Sequence, residues 1–550
     1  MQAVNRALPF VLFLLAFSLF AAAPAAAQKA KVGKEYFEDH HFGYKFRYPE
    51  EWLIVPVKPE ERKRGMIAQM GGPSVTVRVG GNQAGQVTLK LDIWKFDQEA
   101  AVTRDEDEGS GGLRGRVERT SSRPTIADKM GELARGYGFR DFEAGEIDDF
   151  KASKIGGLRQ EFTAFTGDYD ATFVTFTFAL DDFDIALVFW VPDGELNKWG
   201  KVAVDAAKTF RLIDRVEALE LTEDATYDQK VAYYRDQASR TVGWEVVETP
   251  SQRYIVLTSS KDADFVKTII DRLENSRDLF ESEFPPSKPI SHVSLVRICS
   301  TMEEFHKYGK TGGGVAGWFN PSTTELVIVD FKDYNRKMTY GVMTHEGFHQ
   351  YCHFLFDQSE AHRWFDEGHG DYYGAFEFKG KKAITKAKMA GGIERLTGIK
   401  QMIREGTYRP IAEHVRLDHG QWQSQGPSNV SCYEQSWSII YMLREGMKGN
   451  VPRKLWRDEY GEIVPVYMRT LHEGYLKAYD ELRDEVRKSH EASGEELDPK
   501  ELESSALSNR LSQERKQEIW DAAINASWGQ VDMDEFEAHW REFVENHLRN

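Results

Sequence analysis

The sequence predicts an α+β chain assembled from two unlike parts, and three observations carry that expectation. At 550 residues the chain exceeds the size at which one hydrophobic core keeps growing. Short alternating or apolar runs dominate from about 36 to 213, whereas from Met338 onward the periodicity is predominantly helical. Hydrophobic residues make up 41% and charged residues 29%, enough apolar material for packed cores and enough charge for solubility.

The elements follow in order. Residues 1–27 carry one charge, Arg6, then an apolar run from Ala7 to Phe20 and the small residues Ala25, Ala26 and Ala27. That is the pattern of a cleaved secretory signal peptide, and it predicts an exported, periplasmic or extracellular protein. The apolar run is too short for a bilayer, Pro9 and Pro24 flank it, and no later segment offers ~20 apolar residues, so no integral membrane span is expected after cleavage. In 36–213, V-T-L-K-L-D-I-W, A-T-F-V-T-F-T-F and D-I-A-L-V-F-W-V read as strands. D-E-D-E-G-S-G-G and R-T-S-S-R-P read as exposed loop, and V-A-V-D-A-A-K-T-F-R-L-I as a closing amphipathic helix.

Residues 214–245 are polar and helical in composition and serve as a connector. The second domain spans 246–550. R-Y-I-V-L-T-S is a strand, a helix runs through 262–280, and H-V-S-L-V-R-I and T-E-L-V-I-V-D-F are two further strands. The stretch 484–514, rich in Glu, Lys and Ser, reads as a solvated, partly mobile insertion. No internal repeat is evident.

The formal charge of −17 disfavours a nucleic-acid or anionic-lipid partner. The three cysteines, Cys299, Cys352 and Cys432, are too few for a disulfide framework; one bridge between Cys352 and Cys432 and three buried thiols are both compatible with the sequence.

Chemistry concentrates in T-H-E-G-F-H. On a helix, His345 and His349 share one face and can direct both imidazoles at a single ion. Glu346 falls beside that face, where a general base stands to take a proton from water. A catalytic zinc takes three protein ligands, so a third is required. His353 continues the same face, but three ligands at four-residue steps on one straight helix spread over about 12 Å; His353 is assigned to packing or solvent. Glu367, in W-F-D-E-G-H-G-D-Y on the next helix, supplies the third ligand, and Gly368 and Gly370 remove side chains where two helices approach. Asp366 and His369 are read as rim residues that point elsewhere. The glycine cluster T-G-G-G-V-A-G lacks G-K-[ST] and reads as a turn followed by a strand rather than a phosphate loop.

His345, Glu346 and His349, followed by Trp364, Glu367 and Gly368, resemble the gluzincin metallopeptidases, particularly the bacterial peptidase MA-like group. The likeness spans roughly 250–550, including the closing I-W-D-A-A-I-N-A-S-W. It implies a small sheet plus helical bundle, one Zn2+ ion and a peptide or protein substrate. It also implies that Asp371 orients a ligand histidine, that Tyr433, in C-Y-E-Q-S-W, stabilises the oxyanion, and that the strand at 324–330 is a peptide-binding edge. Tyr433, Trp437 and Ile440 can equally form an ordinary core stripe, Asp371 a helix cap, and 324–330 a purely structural strand. F-G-Y-K-F-R-Y-P-E-E-W and the sheet-rich body after it resemble the antiparallel-sheet α/β sandwich of PsbP-like exported domains. The function expected is zinc-dependent peptide-bond hydrolysis. The alternative is a non-catalytic zinc-containing cell-envelope binding protein.

Overall fold

The computed structural model describes residues 30–550 apart from 80–82, 98, 104–117, 123–124, 181–182, 217–218, 220, 223–224, 240, 242, 310–314, 334, 387–394, 424–428, 494–510 and 550. The leader assigned to 1–27 and the acidic run 105–112 therefore lie outside the described residues. The chain divides into two compact units, with the change at Glu245 and Val246; residues 303–311 group with the N-terminal unit.

The N-terminal unit opens with β1 (Val32–Asp39), β2 (Tyr44–Pro49), β3 (Leu53–Val55), α1 (Pro59–Lys63), β4 (Met66–Val79) and β5 (Gln83–Asp97). β6 (Glu99–Thr103), β7 (Glu118–Ser122), α2 (Ile126–Tyr137), β8 (Arg140–Ala152), β9 (Ile155–Phe165), β10 (Asp170–Ala179), β11 (Phe183–Pro192), α3 (Leu196–Ala207), β12 (Arg211–Leu212) and α4 (Tyr227–Ser239) follow. Seven antiparallel strands form one sheet in the order β3-β4-β5-β11-β10-β9-β8. β10 and β11 lie at its centre and are buried on both faces, because a helix covers each side. Trp199, Val202 and Ala206 of α3 join one core, with Phe176 and Phe189; Ile126, Met130 and Leu133 of α2 join the other, with Phe162, Phe173 and Val188.

Three expectations for this half need correction. Residues 119–122, read as loop, pair with 99–102 in an antiparallel ladder. The closing helix stops at Ala207, and Arg211 and Leu212 pair with β2 instead of continuing it. Among the described residues of the connector only 227–239 is helical.

The C-terminal unit contains β13 (Glu245–Glu248), β14 (Tyr254–Thr258), α5 (Ala263–Glu283) and β15 (Ser294–Cys299). After α6 (Met302–Gly309), which from Glu303 groups with the other unit, come β16 (Gly317–Asn320), β17 (Glu325–Val329), α7 (Arg336–Leu355), α8 (Arg363–Gly374), β18 (Glu377–Lys379) and β19 (Lys382–Ile384). Then follow α9 (Arg395–Glu405), α10 (Ile411–His414), α11 (His419–Gln423), α12 (Asn429–Met447) and α13 (Asp458–Ser493), and two closing helices, Gln513–Ser527 and Met533–Asn546. The whole is an α+β architecture. The sheet order is β13-β14-β15-β17-β16, with β14, β15 and β17 parallel and β16 antiparallel at the edge. Parallel pairing requires a crossover, which α5 supplies between β14 and β15.

β17 is flanked on both sides, so the expectation of a peptide-binding edge at 324–330 fails. The edge is β16, joined to β17 by a tight turn in which Ser322 N donates to Asn320 Oδ1 at 2.9 Å and Thr324 takes φ 53°. Residues 484–493, read as the start of an insertion, continue α13. All three cysteines are buried and none is in a disulfide; Cys352 belongs to the large helical core, whereas Cys432 packs in a small cluster with Leu417, Trp422 and Tyr433, so no bridge joins them. Among the described residues no helix is long and apolar enough to cross a membrane.

The helical core also buries histidines that take no part in the constellation at 345–371. His414 Nε2 lies 2.7 Å from Ser436 Oγ, and burial, aided by Arg409, pushes its pKa down to about 3. Its native form is therefore neutral where the unfolded chain, with an ordinary histidine value near 6.5, takes a proton. Below pH 6.5 the unfolded state binds more protons, so stability falls as pH falls, by ~1.4 kcal/mol per pH unit for this group. We expect His414→Gln to lose stability less steeply than the wild type between pH 6 and pH 4, read from urea midpoints of the full chain; parallel curves would show that His414 is protonated in the fold.

Candidate metal centre

Two helices build the site, and a third fixes their spacing. Asn335 caps α7, its side chain accepting from Lys337 N, and α7 is buried along most of its length. α8 packs between α7 and α12. A Cβ at Gly368 would meet Ser436 O at 2.9 Å and Ile440 Cγ1 at 2.6 Å, so glycine there sets the α8–α12 distance. A Cβ at Gly370 would stand 2.9 Å from His345 Cε1, so glycine there opens the space for the imidazole. Trp364 anchors the start of α8 between Tyr467 and Trp528, with ring centroids at 5.0 and 5.3 Å.

This packing brings His345, His349 and Glu367 together. Their Nε2 atoms lie 2.9 Å apart, and Glu367 Oε2 is 3.2 Å from His345 Nε2 and 3.4 Å from His349 Nε2. All three side chains are buried, and their ligand atoms are close enough to hold one metal ion. Each imidazole also has a carboxylate at its other nitrogen. Asp371 Oδ1 lies 3.2 Å from His345 Nδ1, and Asp366 Oδ1 lies 2.8 Å from His349 Nδ1. Carboxylates accept only, so neutral rings with the proton on Nδ1 would turn both Nε2 lone pairs inward, toward a metal ion.

Asp366 is thus a correction: read as a rim residue, it orients His349. Its neighbour His369 turns the other way, into a box of Phe284, Phe348 and Phe365, where burial pushes its pKa to about 3. His353 packs against Phe319, with ring centroids 5.4 Å apart. Glu346 is fully buried; its Oε2 accepts the Phe319 backbone N–H at 3.0 Å, and its Oε1 has no hydrogen-bond partner among the described residues. Tyr433 donates to Glu367 Oε1 at 3.4 Å, while Trp437 and Ile440 of the same stripe enter the core.

Three residues that sequence reasoning missed complete the surroundings. Arg363 Nη1 reaches Glu367 Oε1 at 3.2 Å, and its Nε donates to His419 Nδ1 at 2.9 Å. Arg395 Nε donates to Asp371 Oδ2 at 2.8 Å. The four-residue step from Arg363 to Glu367 was a readable helical pair; nothing local marks His419 or Arg395.

The electrostatics favour a positive guest. Burial alone would depress His345, but Asp371 and Glu367 outweigh it and hold its pKa up to about 9. His349 is likewise pushed down by burial and held well above its ordinary value by Asp366 and Glu367. Burial would raise Glu367, yet the histidines keep it well below the usual carboxylate range. Burial raises Glu346. A field that draws protons onto two facing imidazoles draws a dication equally, and two nitrogens with one carboxylate suit zinc.

Gly370→Ala should weaken any metal binding by the three ligands roughly 10–100-fold, because the new methyl displaces an imidazole that lies beside Asp371. Chelator competition measures it, and unchanged affinity would mean that the His345 ring has room to spare. No protein-family model and no curated protein matches this chain. Among solved structures, cyanobacterial PsbP (CyanoP) from Synechocystis sp. PCC 6803 aligns at 14% identity over 35% of this chain and 98% of its own, with a TM-score of 0.23. A protein of unknown function from Pseudomonas aeruginosa aligns at 9% identity over 34% and 99%, with a TM-score of 0.17. The PsbP-like likeness is a weak one and lies in the N-terminal part.

Proposed function

We propose that this chain is an exported zinc-dependent peptidase of the gluzincin type, with zinc held by His345, His349 and Glu367. The observation that supports it is the meeting of two imidazole nitrogens and one carboxylate oxygen in a buried site with Glu346 on the same helix. Structural zinc sites take four protein ligands, whereas catalytic sites keep one position open, and three ligands fit the second class. When bound, zinc would polarise a substrate carbonyl and lower the pKa of water.

The chain's own residues account for the rest. Glu346 is the general base: the Phe319 N–H steadies one oxygen, the other is left to accept a proton, and burial raises its proton affinity. Tyr433 is the donor that stabilises the developing oxyanion, its hydroxyl standing beside Glu367. Asp371 and Asp366 keep the histidines in the tautomer that ligation needs. The edge strand β16 receives the substrate backbone by strand addition. The pattern of residues 1–27 supports export, and the N-terminal sheet unit serves recognition or anchoring.

Zinc content and turnover of an unbiased peptide library, measured on wild type and Glu346→Gln, test the reading. We expect cleavage by the wild type and a kcat roughly 10²–10⁴-fold lower in the variant, with zinc content unchanged. Zinc bound equally by both proteins, with no cleavage that depends on Glu346, would instead identify a non-catalytic zinc protein of the cell envelope.

A further inference from the structure

We infer that Arg363, braced by His419, is a positioning residue that holds Glu367 to one-oxygen ligation. The inference rests on the zinc reading above and deepens it. Glu367 presents its two oxygens to different partners. Oε2 faces His345 Nε2 at 3.2 Å and His349 Nε2 at 3.4 Å, while Oε1 faces Arg363 Nη1 at 3.2 Å and Tyr433 Oη at 3.4 Å. A carboxylate whose second oxygen is engaged by a guanidinium cannot swing that oxygen onto the ion without breaking a charge-assisted hydrogen bond.

The guanidinium is itself immobilised. Its Nε donates to His419 Nδ1 at 2.9 Å, and Nη2 approaches the same nitrogen. An arginine can only donate, so His419 Nδ1 is the unprotonated nitrogen and the imidazole acts as a neutral acceptor. Arg363 Nη1 also stands 3.6 Å from Asp366 Oδ2, whose other oxygen holds His349 Nδ1. One cation therefore touches both the carboxylate ligand and the residue that orients a histidine ligand. Lysine could keep the charge but not the planar fork that spans Glu367 and His419.

The metal itself is the probe. Zinc affinity by chelator competition and the visible d–d absorption of the Co2+-substituted protein are compared for wild type, Arg363→Lys, His419→Ala and His419→Asn. The intensity of that absorption reports coordination number, which a merely structural role would leave alone. We expect Arg363→Lys and His419→Ala to weaken zinc roughly 10–100-fold and to lower the absorption as Glu367 becomes two-oxygen. His419→Asn, which keeps an acceptor for the guanidinium, should restore both. Wild-type affinity and an unaltered Co2+ spectrum in His419→Ala would overturn the proposal, and that half-buried position reports even if Arg363→Lys fails to fold. A wild type that takes up neither metal would instead bring down the zinc reading itself.

Discussion

Two imidazole nitrogens facing each other at 2.9 Å, and a carboxylate oxygen within 3.4 Å of both, are the constraint on which the rest of this unit depends. In a buried setting such an arrangement is repulsive unless something positive lies among the three. The fold nevertheless imposes it. Asp371 and Asp366 fix the outer nitrogens of the two rings, Gly370 clears the volume of one of them, and Gly368 lets α12 press α8 against α7. Convergence of the ligands is therefore a property of helix packing rather than of any loop, which suits a site that must hold its geometry.

Charge balance explains why so many ionisable groups can be buried here. Asp366, Glu367 and Asp371 would be costly without partners. Arg395 offsets Asp371, and Arg363 is shared between Glu367 and Asp366, so two cations face three carboxylates. The one negative charge that remains adds to the pull of the site on a cation. A buried network of this kind is weak support for stability, because desolvation consumes much of its Coulomb energy. Its value lies in orientation. Every ligand has a second contact that resists rotation, and each of those contacts is itself anchored.

Much of this was legible in the residues because helical geometry is local. The four-residue step between His345 and His349, the glycines beside Glu367 and the four-residue step to Asp371 each follow from 3.6 residues per turn. Asp366 was misassigned by the same rule applied too strictly. Adjacent residues on a helix diverge by about 100°, yet α8 offers its carboxylates to two rings one turn apart on α7, so both 366 and 367 find a partner. His419 and Arg395 approach from separate elements, and no spacing rule reaches across such a gap. The misread edge has a related cause. T-E-L-V-I-V-D-F is the more apolar run, and apolar runs mark central strands, whereas the short G-W-F-N that forms the true edge was absorbed into a glycine-rich turn.

That edge connects sheet to site through one hydrogen bond. β16 spends one side of its backbone on β17, and from the other side the Phe319 N–H reaches Glu346 Oε2 at 3.0 Å. A Cβ at Gly317 would lie 2.5 Å from Val342 Cγ1 and 3.5 Å from Glu346 Cγ, so the strand meets α7 where no side chain fits between them. The carboxylate proposed as base is thus anchored at one oxygen to the strand proposed to carry substrate. Its second oxygen, buried without a partner among the described residues, is the one left to take a proton. A substrate strand added to β16 would align its own backbone against the strand that fixes the base. Register on the sheet and position at the base would then be set by a single structural element.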